Sequence, residues 1–191
     1  MLVFESTKNT RPILENSLKY IRSDVPTYVS DTEKRWLLDN DVTSVIDLRT
    51  DAERAARPCP LSEDARFSYR AYPITGGDTV PKTVDDVPRS YVRMADAGFD
   101  RLIDCLLSAK AGILYFCNAG KDRTGVVSAA LLYKLGMPTD YIARDYMRSG
   151  ENLAPMLAAY AAQHPEVDIN VITPNEGYIR EFLAWYIARN G

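Results

Sequence analysis

The sequence predicts an α/β layer fold, with strands interspersed among helices. Three stretches carry that expectation. "VTSVIDL" (42–48) is rich in β-branched residues and reads as a buried strand. "GILYF" (112–116) is a short, fully apolar run. "TGVVSAALLYKL" (124–135) then makes an apolar helix only a short loop later, stopping at Gly136 with Pro138 beyond it.

The remaining elements follow in order. Ser30 and Glu33 have capping-box spacing and open a helix through Trp36, Leu37 and Leu38 that ends near Asn40. A Pro- and charge-rich connection, "RTDAERAARPCPLSED", joins the first strand to "RFSYRAYPI" (66–74), where Phe67, Tyr69 and Ala71 alternate as in a strand. Residues 75–87 carry glycines, prolines and acids with little apolar content, the composition of a mobile loop. Tyr91, Met94, Ala95, Leu102, Ile103 and Leu106 recur at helical spacing, with an interruption at Gly98. After the apolar helix, two helices are expected over about 138–148 and 153–163. A last helix is expected behind a capping box of Thr173, Pro174 and Glu176, burying Ile179, Phe182, Leu183 and Tyr186.

A chain of 191 residues is most simply one domain, residues 1–191, with room for a sizeable core. Net charge is only -3, so wholesale binding to nucleic acid is not expected and anion recognition must be local. Cys59, Cys105 and Cys117 have no disulfide-framework or zinc spacing, which suits a reducing compartment. The start, "MLVFESTKNTR", has no secretory apolar core, and no run approaches the roughly 18 residues of a membrane span. The expectation is a cytoplasmic protein without a transmembrane segment, metal or cofactor.

The chemistry concentrates between the apolar strand and its helix, in "CNAGKDRTG" (117–125). A loop running from a buried strand into a helix N-terminus gathers unpaired backbone N–H groups around one point and binds a tetrahedral oxyanion. Cys117 begins the loop, where those groups favour thiolate over thiol. Arg123 ends it, and its planar fork suits two phosphate oxygens. A thiolate beneath a held phosphate can attack phosphorus and form a phosphocysteine. The C-x-x-x-x-x-R spacing alone is a weak signal, since a small buried thiol and a surface arginine satisfy it too. The strand, Gly120 and the helix behind it strengthen the reading.

"CNAGKDRTG" resembles the signature loop of cysteine-dependent protein tyrosine phosphatases. It is closest to the bacterial branch of tyrosine- and lipid-phosphate (triple-specificity) phosphatases whose loop reads HCxAGKDRTG. "YIRSD" (20–24), "VIDLRTDAE" (45–53) and "ARDYMRSGENL" (143–153) are similar to that family's other segments, in the expected order over most of the chain. The resemblance implies a phosphatase-like α/β fold with a central, mostly parallel sheet flanked by helices. It makes Cys117 the nucleophile and Arg123 the phosphate clamp. Backbone N–H groups of Asn118, Ala119, Gly120, Lys121 and on to Arg123 would form the cradle, and Thr124 would steady the departing thiolate. Lys121 and Asp122 match the family's "KD" pair. Asp47 and Arg49 match "DLR", either as substrate contacts or as an ion pair beneath the loop.

The general acid is expected on the loop over about 75–90. Asp78 is the best placed, Asp85 and Asp86 are alternatives, and Asp122 is a rival within the signature loop. One departure stands out: Phe116 replaces the histidine that usually precedes the nucleophile and cannot make its hydrogen bond. The implied substrate is a phosphorylated protein or a phospholipid, with phosphotyrosine preferred to phosphoinositides or inositol phosphates. A catalytically weak phosphate-binding module is the third reading.

Other chemistries lack residues. Asp122 follows Gly120-Lys121 where a nucleotide-binding P-loop needs Ser or Thr. His164, the single histidine, sits in "AAQHPEVD" as a helix exit rather than a base. Cys59 could serve as a resolving thiol for Cys117 or be an ordinary loop cysteine.

Overall fold

The computed structural model describes residues 4–77 and 79–190. One five-stranded sheet runs through it in the order β1-β2-β5-β3-β4. The strands are β1 (Arg11–Leu14), β2 (Ser17–Ser23), β3 (Val42–Asp47), β4 (Ser68–Ala71) and β5 (Gly112–Phe116). Only β1 is antiparallel to its neighbour; β2, β5, β3 and β4 are parallel. The central position of β5 explains its composition. A strand paired on both edges and covered on both faces meets no water, so every one of its five residues is buried.

Side chains alternate across that sheet. Ile113 and Tyr115 enter one core cluster, with Cys117 just beyond the strand. Leu114 and Phe116 enter the other. The larger cluster is covered by α3 (Asp86–Met94), α4 (Phe99–Ser108), α5 (Asp122–Lys134), α6 (Thr139–Gln163) and α8 (Glu176–Asn190). On the opposite face Leu37 of α1 (Asp31–Asp39) packs with Cys59, Leu61 and Phe67. A short helix, α2 (Asp51–Ala56), follows β3, and a single turn, α7 (Ile169–Ile172), precedes α8. The fold is therefore the expected α/β sheet, mostly parallel and flanked by helices.

Local signals account for several boundaries. The Ser30–Glu33 capping box forms, and Asn40 closes α1. The interruption near Gly98 is real, since α3 ends at Met94 and α4 begins at Phe99. The second expected strand is shorter than "RFSYRAYPI", because only Ser68–Ala71 pairs with β3.

Three differences have physical causes. The hairpin β1–β2 has only a brief signal, Glu15-Asn16, where Asn16 takes φ 58 in the turn. The two helices expected over 138–163 are one helix of 25 residues with Pro155 inside it. Proline removes one helical hydrogen bond there, but Leu153 and Leu157, four residues apart, bury a common face with Ile172 and hold the helix together. The cap of α8 is Asn175 rather than Thr173, its side-chain oxygen accepting from the Gly177 N–H at 2.8 Å.

Candidate active site

Residues 117–121 link the end of β5 to the start of α5, so the loop leaves the middle of the sheet and enters a helix N-terminus. Carbonyls along this stretch are engaged by neighbouring segments. The Phe116 carbonyl accepts from Leu48 N–H at 2.9 Å and that of Asn118 from Val25 N–H at 3.2 Å. The Gly120 carbonyl accepts from Asn9 Nδ2 at 2.9 Å and Arg22 Nη2 at 2.8 Å. No described residue accepts from the backbone N–H groups of Asn118 through Arg123. Free amides on one side and engaged carbonyls on the other make an anion nest. Gly120 is required for it: φ is 67, and a Cβ would lie 2.5 Å from the Asp24 nitrogen.

A buried polar floor supports this loop. Arg11 Nε and Arg22 Nη1 meet the two carboxylate oxygens of Asp145 at 3.0 and 2.5 Å. Arg11 Nη2 also donates to the Asp145 carbonyl, at 2.7 Å, and to Ser149 Oγ, at 3.0 Å. Burial opposes the charge on Asp145, but Arg22 and Arg11 outweigh it and hold the carboxyl below its usual range. Burial, then Arg22, pulls Arg11 down to about 10. The segments "YIRSD" and "ARDYMRSGENL" thus meet beneath the loop.

Cys117 and Arg123 are both buried, and Arg123 faces a carboxylate that the sequence reading missed. Its Nη1 and Nη2 donate to the two oxygens of Glu53 at 2.6 and 2.7 Å. Asn118 Nδ2 donates to the same carboxylate at 2.5 Å. The Arg123 hydrogen bonds hold Glu53 at about 2. Burial works against the Arg123 charge, yet the bonds to Glu53 and the proximity of Cys117 hold its guanidinium above the usual range. Glu53 also closes a capping box with Thr50 at the head of α2, which fixes its direction. Thr-x-x-Glu within "VIDLRTDAE" was the available signal.

Thr124 Oγ1 is fully buried with no hydrogen-bond partner among the described residues. Lys121 Nζ is committed to Asp122 Oδ1 at 2.8 Å, and Tyr91 Oη donates to the same oxygen at 2.7 Å. Lys121, Asp122, Tyr91, Gly77, Val80 and Ile172 line a cleft of about 100 Å³ beside the loop. Asp78 lies outside the described residues. Its neighbour Gly77 lies close against Arg123, for a Cβ there would stand 2.8 Å from Arg123 Cγ. Asp85 lines a different groove with Arg89 and Tyr178, and Asp86 accepts from Thr83 at 2.8 Å; neither lines the cleft that holds Asp122.

Asp47 and Arg49 form an ion pair with each other. Arg49 Nη2 reaches Asp47 Oδ2 at 2.6 Å with both side chains sealed from solvent, and Tyr69 Oη donates to the same oxygen at 2.6 Å. The Arg49 guanidinium lies 5.4 Å from the ring centroid of Phe116. Phe116 therefore fills the second core cluster. Cys59 is in that cluster too, across the sheet from Cys117, and burial pushes its thiol up to about 11. Neither fact favours a resolving thiol. His164 is the C-cap of α6. No group of side chains suited to hold a metal ion occurs among the described residues, and none of the described helices is long and apolar enough to cross a membrane.

A family profile described as "Tyrosine phosphatase family" matches residues 7–191. A tyrosine-protein phosphatase of Nostoc commune is 27% identical over 135 residues, covering 65% of this chain and 46% of that one. The triple specificity protein phosphatase PtpB of Mycobacterium tuberculosis is 46% identical over 54 residues, 28% of this chain and 19% of that one. The chain aligns with about half the length of the first curated relatives. Among solved structures, P. aeruginosa TpbA is similar at a TM-score of 0.49 and 15% identity, covering 96% of this chain and 95% of that one.

Proposed function

Since the chain belongs to the tyrosine phosphatase family, we propose that it hydrolyses phosphotyrosine through a phosphocysteine intermediate. The observation that carries this reading is the division of the loop: carbonyls engaged by Val25, Asn9 and Arg22, and amides around Cys117 and Arg123 that no described residue accepts from. A phosphate dianion would take those N–H groups and the Arg123 fork. Cys117 Sγ then attacks phosphorus as the ester P–O bond breaks. The departing phenolate needs a proton, and Asp78 is the proposed donor; the contact of Gly77 with Arg123 supports that assignment. Water opens the phosphocysteine, and the Thr124 hydroxyl, without a partner among the described residues, is suited to stabilise the released thiolate.

Two features favour an aryl ester over a phosphoinositide. The cleft beside the loop carries Val80, Pro81, Val87, Met94 and Ile172, an apolar lining that suits a ring. Lys121, which would attract further phosphates, is already paired with Asp122. The test is a turnover panel of phosphotyrosine peptide, phosphoserine peptide and phosphoinositide vesicles, run beside Cys117→Ser. The phosphotyrosine peptide is expected to be turned over fastest, and the serine variant to lose about 10⁴-fold or more in kcat while still binding phosphate. Comparable turnover by the variant would remove the phosphocysteine mechanism. Phosphate binding without turnover in the wild type would favour a binding module instead.

A further inference from the structure

Tyr91 is buried on α3, far in sequence from the loop, yet it ends a directed chain of hydrogen bonds at Asp122. Its hydroxyl has one proton, and that proton goes to Asp122 Oδ1 at 2.7 Å. The 2.7 Å contact between the Tyr91 and Tyr146 hydroxyls must therefore run from Tyr146 to Tyr91. The two rings meet edge to face at 6.2 Å. Gly125 makes room for this arrangement, because a Cβ there would press on the Tyr146 ring at 3.1 Å. Burial, then the charge of Asp122, holds Tyr91 well above its ordinary range, so its hydroxyl remains a donor.

The chain has a consequence at the carboxylate. Lys121 Nζ and Tyr91 Oη both donate to Oδ1, and no described residue donates to Oδ2. Oδ1 takes both donors, and the Asp122 side chain, 32% exposed, lines the cleft beside the loop. We propose that Tyr91 is a positioning residue for hydrolysis of the phosphocysteine, fixing Asp122 by Oδ1 so that Oδ2 takes a proton from the attacking water. In that step the water oxygen bonds phosphorus and the P–S bond breaks. Cys117 leaves as thiolate, inorganic phosphate forms, and the displaced water proton resides on Asp122. This rests on the phosphocysteine reading given above.

Tyr91→Phe keeps the ring and removes only the donor. Phosphoenzyme decay, followed by rapid quench, is expected to slow about tenfold, a fraction of what a general base contributes. Because kcat/KM ends at the first irreversible step, kcat and KM should fall together with nitrophenyl phosphate while kcat/KM stays within about twofold. A burst of nitrophenolate should appear. Tyr146→Phe, one bond further back, should slow the same step by about threefold. Unchanged phosphoenzyme decay in both variants would overturn the proposal, as would a loss confined to kcat/KM, which a general disturbance of the fold would cause. A wild-type protein that turns over without forming any phosphoenzyme would overturn the underlying reading instead, and that outcome is visible before either variant is made.

Discussion

Beneath the loop two arginines meet one aspartate in a dry interior; at its mouth one arginine meets one glutamate within reach of water. The side chains of Arg11, Arg22 and Asp145 are 1%, 0% and 6% exposed, against 4% for Arg123 and 21% for Glu53. Both constellations pair guanidinium with carboxylate at hydrogen-bond distance, yet they do different work. Each floor arginine also bonds a backbone carbonyl, so the floor is joined to the shape of the chain. Arg123 gives both terminal nitrogens to a side chain. Any anion that reaches the Arg123 fork must share or displace that carboxylate. The floor arginines are tied to the backbone, whereas Arg123 is tied to a side chain that water can reach.

The largest expected effect breaks the floor. Arg22→Met leaves the Gly120 carbonyl without its guanidinium donor and Asp145 with Arg11 alone. Removing one partner from a buried ionic cluster costs roughly 3–5 kcal/mol, read as a lowered urea midpoint with turnover lost in step. A loss below about 1 kcal/mol would mean that the floor is not the rigid half.

That floor was also the least legible part of the site. The nine residues of "CNAGKDRTG" are contiguous, so strand, loop and helix could be read from local pattern. Arg22 and Gly120 are 98 positions apart, Asn9 and Gly120 are 111 apart, and Arg11 and Asp145 are 134 apart. No local spacing reports such pairings. The resemblance singled out "YIRSD" and "ARDYMRSGENL" as segments without saying what they would touch. Glu53 is an intermediate case, since its capping box is local whereas its bond to Arg123 spans 70 positions. Tertiary packing also overrode local punctuation in α6, where Pro155 suggests an end that Leu153, Leu157 and Ile172 prevent.

A smaller effect sharpens the chemistry at the mouth. A general acid matters most when the leaving oxygen is basic, so removing it should slow phenyl phosphate more than a nitrophenyl ester. Asp78→Asn is expected to lose about 10²-fold in kcat/KM on phenyl phosphate and several-fold less on the nitrophenyl ester. Asp122→Asn should slow both esters about equally in kcat, because its proposed step follows departure of the leaving group. Leaving-group sensitivity confined to Asp122→Asn would move the acid into the signature loop.

The smallest effect measures the mouth pair through pH. Glu53 is held at about 2 against an ordinary value of 4.5, chiefly by the hydrogen bonds from Arg123. The unfolded chain therefore binds the extra proton first as pH falls, and stability declines with it. The contribution is fully present above about pH 4.5 and lost as pH falls through about 2. Discounted for the water that screens its exposed side, it amounts to about 2 kcal/mol. Glu53→Gln cannot titrate, so the stability gap between wild type and variant should be widest near pH 5 and close toward pH 2. Asp145 also sits below its usual range, but the substitution leaves it in place and the difference between the two proteins cancels it. A gap that stays constant across that window would show that the carboxylate at the mouth adds no charge-dependent stability. The clamp would then be held by its packing alone.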